Sequence, residues 1–183
     1  AYNNLGAALG KNEQYEETID VYKRVLSIKP DYAEAFYNMG VTLQDQGKLK
    51  EAIEAYNNTL SLKPNHAEAY NNIGIALRDQ GNLNESVDIY NRVLSIKPDY
   101  VDSYYNMGIV LKDQGKLDEA REAFEKGIAI APNIAETYNN LGNAYKLKSD
   151  FKNAEKNYRI ALSLKPDFSE TYNNLGNLLM EKS

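Results

Sequence analysis

Apolar residues recur along the chain at the three- and four-residue spacing of amphipathic helices. Tyr70, Ile73 and Leu77 form one such stripe, and Tyr56 and Leu60 lie on another. The two kinds of stripe alternate along the chain, and short polar segments with glycine or proline separate them. The pattern predicts consecutive antiparallel helices, each of which buries one face against its neighbours.

The helical pattern repeats every 34 residues without an insertion. All five prolines keep this spacing, at Pro30, Pro64, Pro98, Pro132 and Pro166. Six glycines keep it as well, at Gly6, Gly40, Gly74, Gly108, Gly142 and Gly176. Two columns in register over so many periods predict an all-α solenoid of helix pairs. We expect a single array with repeats at 1–32, 33–66, 67–100, 101–134 and 135–168, followed by an extra first helix at 169–183.

The glycine series lies inside the first helix of each pair, where glycine costs about 1 kcal/mol relative to alanine. We attribute it to a close approach between the two helices of a pair. The expected partners are small residues of the second helix: Thr18, Ala52, Ser86, Ala120 and Ala154. A second set, Gly47, Gly81 and Gly115, is expected to end the first helix in the left-handed conformation, whereas the fifth pair has Ser149 there.

Each proline precedes a residue that suits a helix N-cap. These residues are Asp31, Asn65, Asp99, Asn133 and Asp167. An acid follows each of them three residues later, at Glu34, Glu68, Asp102, Glu136 and Glu170. The spacing predicts a capping box at the start of each first helix. The acids thereby have a structural explanation, and a direct ligand role is the alternative.

Composition narrows the possible functions. The formal charge of -5 argues against nucleic-acid binding, which requires basic surface. Cysteine is absent and His66 is the only histidine, so a histidine-based triad or a metal site with two histidines is nearly excluded. No apolar run is long enough to span a membrane. We expect no cofactor, and a cysteine-free chain fits a reducing compartment such as the cytoplasm. A start without methionine suggests a piece of a longer protein.

One period resembles the tetratricopeptide repeat. The residues that carry the resemblance are Tyr70, Ile73, Gly74, Leu77, Ser86, Tyr90, Val93 and Pro98. Tyrosine or phenylalanine stands where the family usually has tryptophan. The resemblance covers the whole chain and implies a right-handed superhelix whose concave face is built mainly from first helices. It implies no single ligand.

In this family the groove is lined by the face of each first helix that points away from its partner helix. An asparagine falls there in every repeat, at Asn4, Asn38, Asn72, Asn106, Asn140 and Asn174. A carboxamide both donates and accepts, so the row could bind the amides of an extended chain. It is similar to the asparagine ladder of the O-GlcNAc transferase repeats, which holds substrate backbone. In the alternative interpretation, each asparagine bonds a neighbouring helix.

Three further columns fall on the same face. The column beside the asparagines contains Tyr37, Asn71, Tyr105 and Asn139, and an apolar strip contains Val41, Ile75 and Ile109. Arg78 and Lys112 lie near the expected rim. The first column could equally form contacts between successive repeats, and the rim charges could pair with neighbouring acids.

These residues predict a non-catalytic scaffold that binds a protein or an extended peptide. The alternative from the enzyme class is the substrate-recognition arm of a larger glycosyltransferase. A third hypothesis is self-assembly into a homo-oligomer through uncapped repeat ends. The last helix is expected to leave Tyr172, Leu175, Leu178 and Leu179 uncovered, and the first repeat is expected to expose its open side. The lysines and arginines that clamp chaperone C-termini in other repeats are missing, which argues against a chaperone adaptor.

Overall fold

The computed structural model describes residues 15–181, in which ten α-helices and no strand are found. In chain order they are α1 (Tyr15–Ile28), α2 (Ala33–Asp45), α3 (Leu49–Leu62), α4 (Ala67–Asp79), α5 (Leu83–Ile96), α6 (Val101–Asp113), α7 (Leu117–Ile130), α8 (Ala135–Leu147), α9 (Phe151–Leu164) and α10 (Ser169–Glu181). The predicted all-α architecture is confirmed. Gly6 and Asn4 lie outside the described residues.

The helices belong to two compact units, of which the first ends at Pro98 and the second begins at Asp99. In the first unit α2 pairs with α3 and α4 pairs with α5, while α1 packs on α2. In the second unit α6 pairs with α7 and α8 with α9, while α10 packs on α9. First helices of successive repeats also touch within a unit, as α2 touches α4, and α8 touches both α6 and α10.

A glycine and an aromatic ring form the centre of each complete helix pair. A Cβ atom added to Gly74 would lie 2.6 Å from Cε1 of Tyr90, which is fully buried. The same contact recurs between Gly40 and Tyr56, Gly108 and Phe124, and Gly142 and Tyr158. The predicted close approach is confirmed, but the facing group is a ring and not a small side chain. A small residue adds to it in one pair, where the Ser86 hydroxyl donates to the carbonyl oxygen of Gly74 over 2.7 Å.

The tight turns inside the pairs use the left-handed conformation as predicted. Gly47, Gly81 and Gly115 have φ angles of 76°, 82° and 75°. Ser149 takes the same place in the last turn with a φ of 59°, and no other non-glycine residue between 15 and 181 has a positive φ. That turn therefore carries a Cβ penalty which the glycine turns avoid.

The predicted capping boxes are wrong. The N-cap of α2 is Tyr32 and that of α4 is His66, one residue later than expected. The reason is a turn in which the Tyr32 N–H donates to the Lys29 carbonyl over 3.3 Å, with Pro30 and Asp31 at its centre. Proline suits that position, so the proline–acid pair forms the turn instead of the cap.

Two of the glutamates assigned to capping boxes pair with lysines instead. Glu34 accepts a hydrogen bond of 2.8 Å from Lys63, and Glu136 accepts one of 2.8 Å from Lys165. Each lysine lies just beyond the second helix of the same repeat, so the ion pair connects the start of the first helix to the end of the second. The hydrogen bond from the lysine is the main reason why the pKa of each glutamate lies below its usual value, and a backbone N–H contributes further.

The last helix is better covered than expected. Leu175 and Leu178 are buried and pack with Ala154 and Tyr158 of α9, so the prediction that they would be uncovered is wrong. Tyr172 remains exposed, as does Leu179. The buried pair faces α9, a helix of the preceding repeat, which the sequence pattern of α10 alone does not reveal.

Gly74→Ala should lower the free energy of unfolding by about 1–3 kcal/mol, because its Cβ would overlap the buried Tyr90 ring. Gly176→Ala is the matched control, since no described residue lies within 4 Å of a Cβ there. The control should raise stability by about 0.5–1 kcal/mol through helix propensity. Urea denaturation measures both, and equal effects would show that the ring does not set the glycine column.

Candidate functional site

Five asparagines of the predicted row lie within the described residues, and all five are half-buried: Asn38, Asn72, Asn106, Asn140 and Asn174. Each belongs to a first helix, at the position given by the repeat. Asn38 and Asn72 lie in the first unit, and the other three lie in the second. The helical repeat thus presents one carboxamide per first helix in each unit.

In three of these carboxamides the nitrogen makes a contact between repeats. Nδ2 of Asn72 donates to the hydroxyl of Tyr37 over 3.2 Å, and Nδ2 of Asn140 donates to the hydroxyl of Tyr105 over the same 3.2 Å. Nδ2 of Asn174 donates to Oδ1 of Asn139 over 3.0 Å. In all three bonds the acceptor lies one repeat earlier. The nitrogens of these three asparagines therefore bond a neighbouring helix, as in the alternative interpretation.

The oxygens of the same three carboxamides, unlike the nitrogens, have no hydrogen-bond partner in the described structure. Within residues 15–181, no donor makes a hydrogen bond to Oδ1 of Asn72, Asn140 or Asn174. Each oxygen retains its acceptor capacity, while its amide plane is held by the bonded nitrogen. The row therefore offers fixed acceptors, one from each of these repeats.

The neighbouring column divides into two kinds of residue. Tyr37 and Tyr105 are half-buried and accept from the asparagine row, whereas Asn71 and Asn139 are buried. Asn139 is only 1% exposed, and its Nδ2 donates to Glu170 over 3.0 Å. Its Oδ1 accepts from the Thr171 hydroxyl, also over 3.0 Å. Asn139 thus holds α10 against α8 and has no free face for a ligand.

The residues of this column alternate with a period longer than one repeat. Tyrosine stands at 37 and 105 and asparagine at 71 and 139, which is a period of two repeats. A hydroxyl side chain follows each of these asparagines 32 positions later, at Ser103 and Thr171. Ala69 follows Tyr37 at the same distance, whereas Tyr105 is followed by Thr137. The period separates a tyrosine-based contact from an asparagine-based one, and the exceptions are Thr137 and Asn173, which stands where the period would place a tyrosine.

The predicted apolar strip is half-buried. Val41, Ile75 and Ile109 each keep part of their surface accessible, and Val41 packs on the core cluster of the first unit. The column becomes polar at Asn143, whose Oδ1 accepts from the Tyr158 hydroxyl over 2.7 Å. Apolar contact surface is therefore available beside the asparagines of the middle repeats.

The rim charges pair with their sequence neighbours. Arg78 donates from Nε and Nη2 to Oδ1 of Asp79, at 3.0 and 2.8 Å, and Lys112 lies 3.9 Å from Asp113. Local charge at this face is therefore largely balanced.

Burial raises the pKa of Tyr90 to about 12 and that of Tyr158 to about 12, so both hydroxyls stay protonated at neutral pH.

No group of three or more histidine, cysteine or acidic side chains in the described part of the chain is placed to share a metal ion. Nor does any described helix combine the length and apolar character required to cross a membrane.

Models of the tetratricopeptide repeat match residues 31–99, 65–133 and 99–167, and a second model of the repeat matches residues 11–47. Together these matches span most of the chain. No protein with a curated description matches it significantly.

Several solved structures are similar to the chain. MamA has 30% sequence identity, with a TM-score of 0.81 over 90% of this chain and 96% of MamA. YrrB, a TPR protein with an unusual peptide-binding site, has 20% identity and a TM-score of 0.76, covering 94% of this chain and 89% of YrrB. A thermophilic TPR protein of Thermus thermophilus, TTC0263, has 21% identity and a TM-score of 0.75, covering 98% and 100% of the two chains.

Asn139→Ala should lower the free energy of unfolding by about 2–3 kcal/mol, because it removes three hydrogen bonds and leaves the buried Thr171 hydroxyl without its acceptor. Asn173→Ala, one repeat later in the same column, is the control, and its exposed side chain should contribute less than about 0.5 kcal/mol. Denaturation curves measure both, and similar losses would rule out the stacking role of Asn139.

Proposed function

The chain belongs to the tetratricopeptide repeat family, and from that premise we propose that it is a non-catalytic scaffold that binds an extended polypeptide along its first helices. The observation that carries the proposal is that three half-buried asparagines of the row, Asn72, Asn140 and Asn174, keep the acceptor capacity of their amide oxygens while their nitrogens are bound. An oxygen of this kind can accept the backbone N–H of a bound chain whatever its side chains are.

Fixation of the carboxamides favours binding. A side chain that is already held by a hydrogen bond loses little rotamer entropy when a ligand arrives. In Asn72 the bond to the Tyr37 hydroxyl sets the amide plane, and in Asn140 the bond to Tyr105 does the same. The oxygens therefore present a pre-organised set of acceptors. Apolar surface for side chains of the bound chain lies beside them, at Val41, Ile75 and Ile109.

The similar structures support this class of function. YrrB, as a TPR protein with an unusual peptide-binding site, is an example of a fold of this kind that holds a peptide. At 20% identity that likeness extends to the fold and not to individual side chains. The assignment of the asparagine row in this chain rests on its own contacts.

The same chemistry would serve the substrate-recognition arm of a larger glycosyltransferase. The observation that favours this second candidate is the similarity between the asparagine row and the ladder of the O-GlcNAc transferase repeats. The two candidates share the binding surface and differ in whether a transferase domain is attached. The sequence of the full reading frame tests the difference.

The triple variant Asn72→Ala/Asn106→Ala/Asn140→Ala should bind an authentic partner, captured with the native protein, roughly tenfold to a hundredfold more weakly. The matched control is Asn57→Ala/Asn58→Ala/Asn91→Ala, which removes three exposed asparagines from second helices and should bind normally. Calorimetry measures both affinities, and circular dichroism checks that both variants are folded. Undiminished binding by the triple variant would remove the asparagine row from the function.

Self-association through α10 is a separate expectation. It is favoured by the exposure of Tyr172 at 54% and Leu179 at 44%. The 183-residue chain should show concentration-dependent association in light scattering, and Tyr172→Lys/Leu179→Lys should reduce it. The control Leu62→Lys changes an exposed apolar residue of α3, in an inner repeat, and should have no effect. A strict monomer at high concentration contradicts the expectation.

A further inference from the structure

A cavity of about 210 Å³ opens between the first helices α6 and α8 of the second unit. Its lining residues are Val101, Asp102, Tyr105, Ile134, Glu136 and Thr137. Apolar side chains and an aromatic ring thus meet two carboxylates, and no basic residue belongs to the lining. Apolar cavities of roughly 150 Å³ admit a benzene ring, so this one has room for a long side chain.

A buried hydroxyl in the cavity lacks a partner. Thr137 is 1% exposed, and its Oγ1 makes no hydrogen bond within the described structure. One repeat later, the equivalent Thr171 donates to Oδ1 of Asn139. Thr137 has no such acceptor because Tyr105 occupies the place of that asparagine. An unsatisfied buried hydroxyl is unfavourable, so a polar atom of a ligand at this point would be stabilised.

One carboxylate of the cavity also lacks the lysine that its counterparts have. Lys63 and Lys165 hold Glu34 and Glu136 in their own repeats. In the repeat of Asp102, Ala131 stands where those lysines stand, and among the described residues no basic side chain pairs with Asp102. The cavity therefore has an uncompensated negative charge at its edge.

In the first unit, a histidine side chain of the chain itself occupies the position equivalent to this cavity. There the His66 ring stacks on Tyr37 with centroids 5.0 Å apart. Its Nδ1 accepts from the Ala69 N–H over 3.2 Å and so caps α4. The second unit keeps the tyrosine as Tyr105 but replaces the histidine with Ile134. Ile134, which lines the cavity, provides neither the ring nor the ring nitrogen that His66 provides in the first unit.

We propose that this cavity binds a lysine or arginine side chain of the polypeptide that the asparagine row holds, an inference that rests on the proposed function. The aliphatic stem packs against Val101, Ile134 and the Tyr105 ring, as the stems of basic residues do at apolar surfaces. The cationic end pairs with Asp102 and donates an N–H to the Thr137 hydroxyl. Glu136 adds negative charge, although Lys165 already binds it.

The cavity adjoins the asparagine row directly. Nδ2 of Asn140 donates both to the Tyr105 hydroxyl and to the backbone carbonyl of Glu136, at 3.2 and 3.1 Å. Both of these residues line the cavity. A chain whose backbone N–H binds Oδ1 of Asn140 would therefore have a side chain within reach of the cavity, and the pocket would select a basic residue at that position.

The test uses the whole chain and two blocked pentapeptides, acetyl-Gly-Gly-Lys-Gly-Gly-amide and the same peptide with norleucine, which is a neutral analogue of lysine. Two-dimensional NMR titration at millimolar concentration should show shifts confined to amides near 101–106 and 134–138. The lysine peptide should bind roughly threefold to tenfold more tightly than the norleucine peptide. Asp102→Asn should remove this preference, and Thr137→Val should weaken lysine binding.

Glu34→Gln is the control, because Glu34 is the equivalent acid of the first unit and already forms an ion pair with Lys63. It should leave the titration unchanged. Equal binding of the two peptides, the absence of localised shifts, or full lysine preference in Asp102→Asn would each overturn the pocket. None of these results alters the affinity of the authentic partner for the triple asparagine variant, so the proposed function is judged separately.

Discussion

The contact between an aromatic ring and a glycine determines the geometry of each complete helix pair. The ring of Tyr56, Tyr90, Phe124 or Tyr158 is fully buried where the first helix has no side chain. Because even one Cβ atom would overlap the ring, the contact fixes how closely the two helices approach. That separation in turn fixes the direction of the outer face of the first helix. The asparagine row can be regular because this internal contact is regular.

Successive repeats are joined by a second, more variable contact. A tyrosine at 37 or 105 accepts from the asparagine of the next repeat, whereas Asn139 accepts from both Thr171 and Asn174. The two arrangements satisfy the same stacking requirement with different polar groups. The two arrangements differ in whether the hydroxyl of the following repeat is hydrogen-bonded. Asn139 accepts from the Thr171 hydroxyl, whereas Tyr105 leaves the Thr137 hydroxyl without a partner. The proposed side-chain pocket lies at this unsatisfied Thr137 hydroxyl.

The sequence predicted the elements that local and periodic constraints determine. Helix pairs, glycine turns and the close approach at Gly74 follow from residue types at a fixed spacing. The capping boxes failed because Pro30 and Asp31 serve a turn, an alternative with the same residues. The burial of Asn139 was not foreseen because it resembles its half-buried neighbour Asn140 in sequence. The cavity could not be predicted, since the state of the Thr137 hydroxyl depends on which groups face it.

The proposed double use of the carboxamides would have a mechanical consequence. An amide that accepts a hydrogen bond at oxygen is polarised and becomes a stronger donor at nitrogen. In the proposed complex, a chain bound at Oδ1 of Asn140 would therefore strengthen the bond from Nδ2 to Tyr105, which joins two repeats. Occupancy and stiffness become coupled within a unit. On the proposed function, each unit would resist bending more when a chain is bound than when none is.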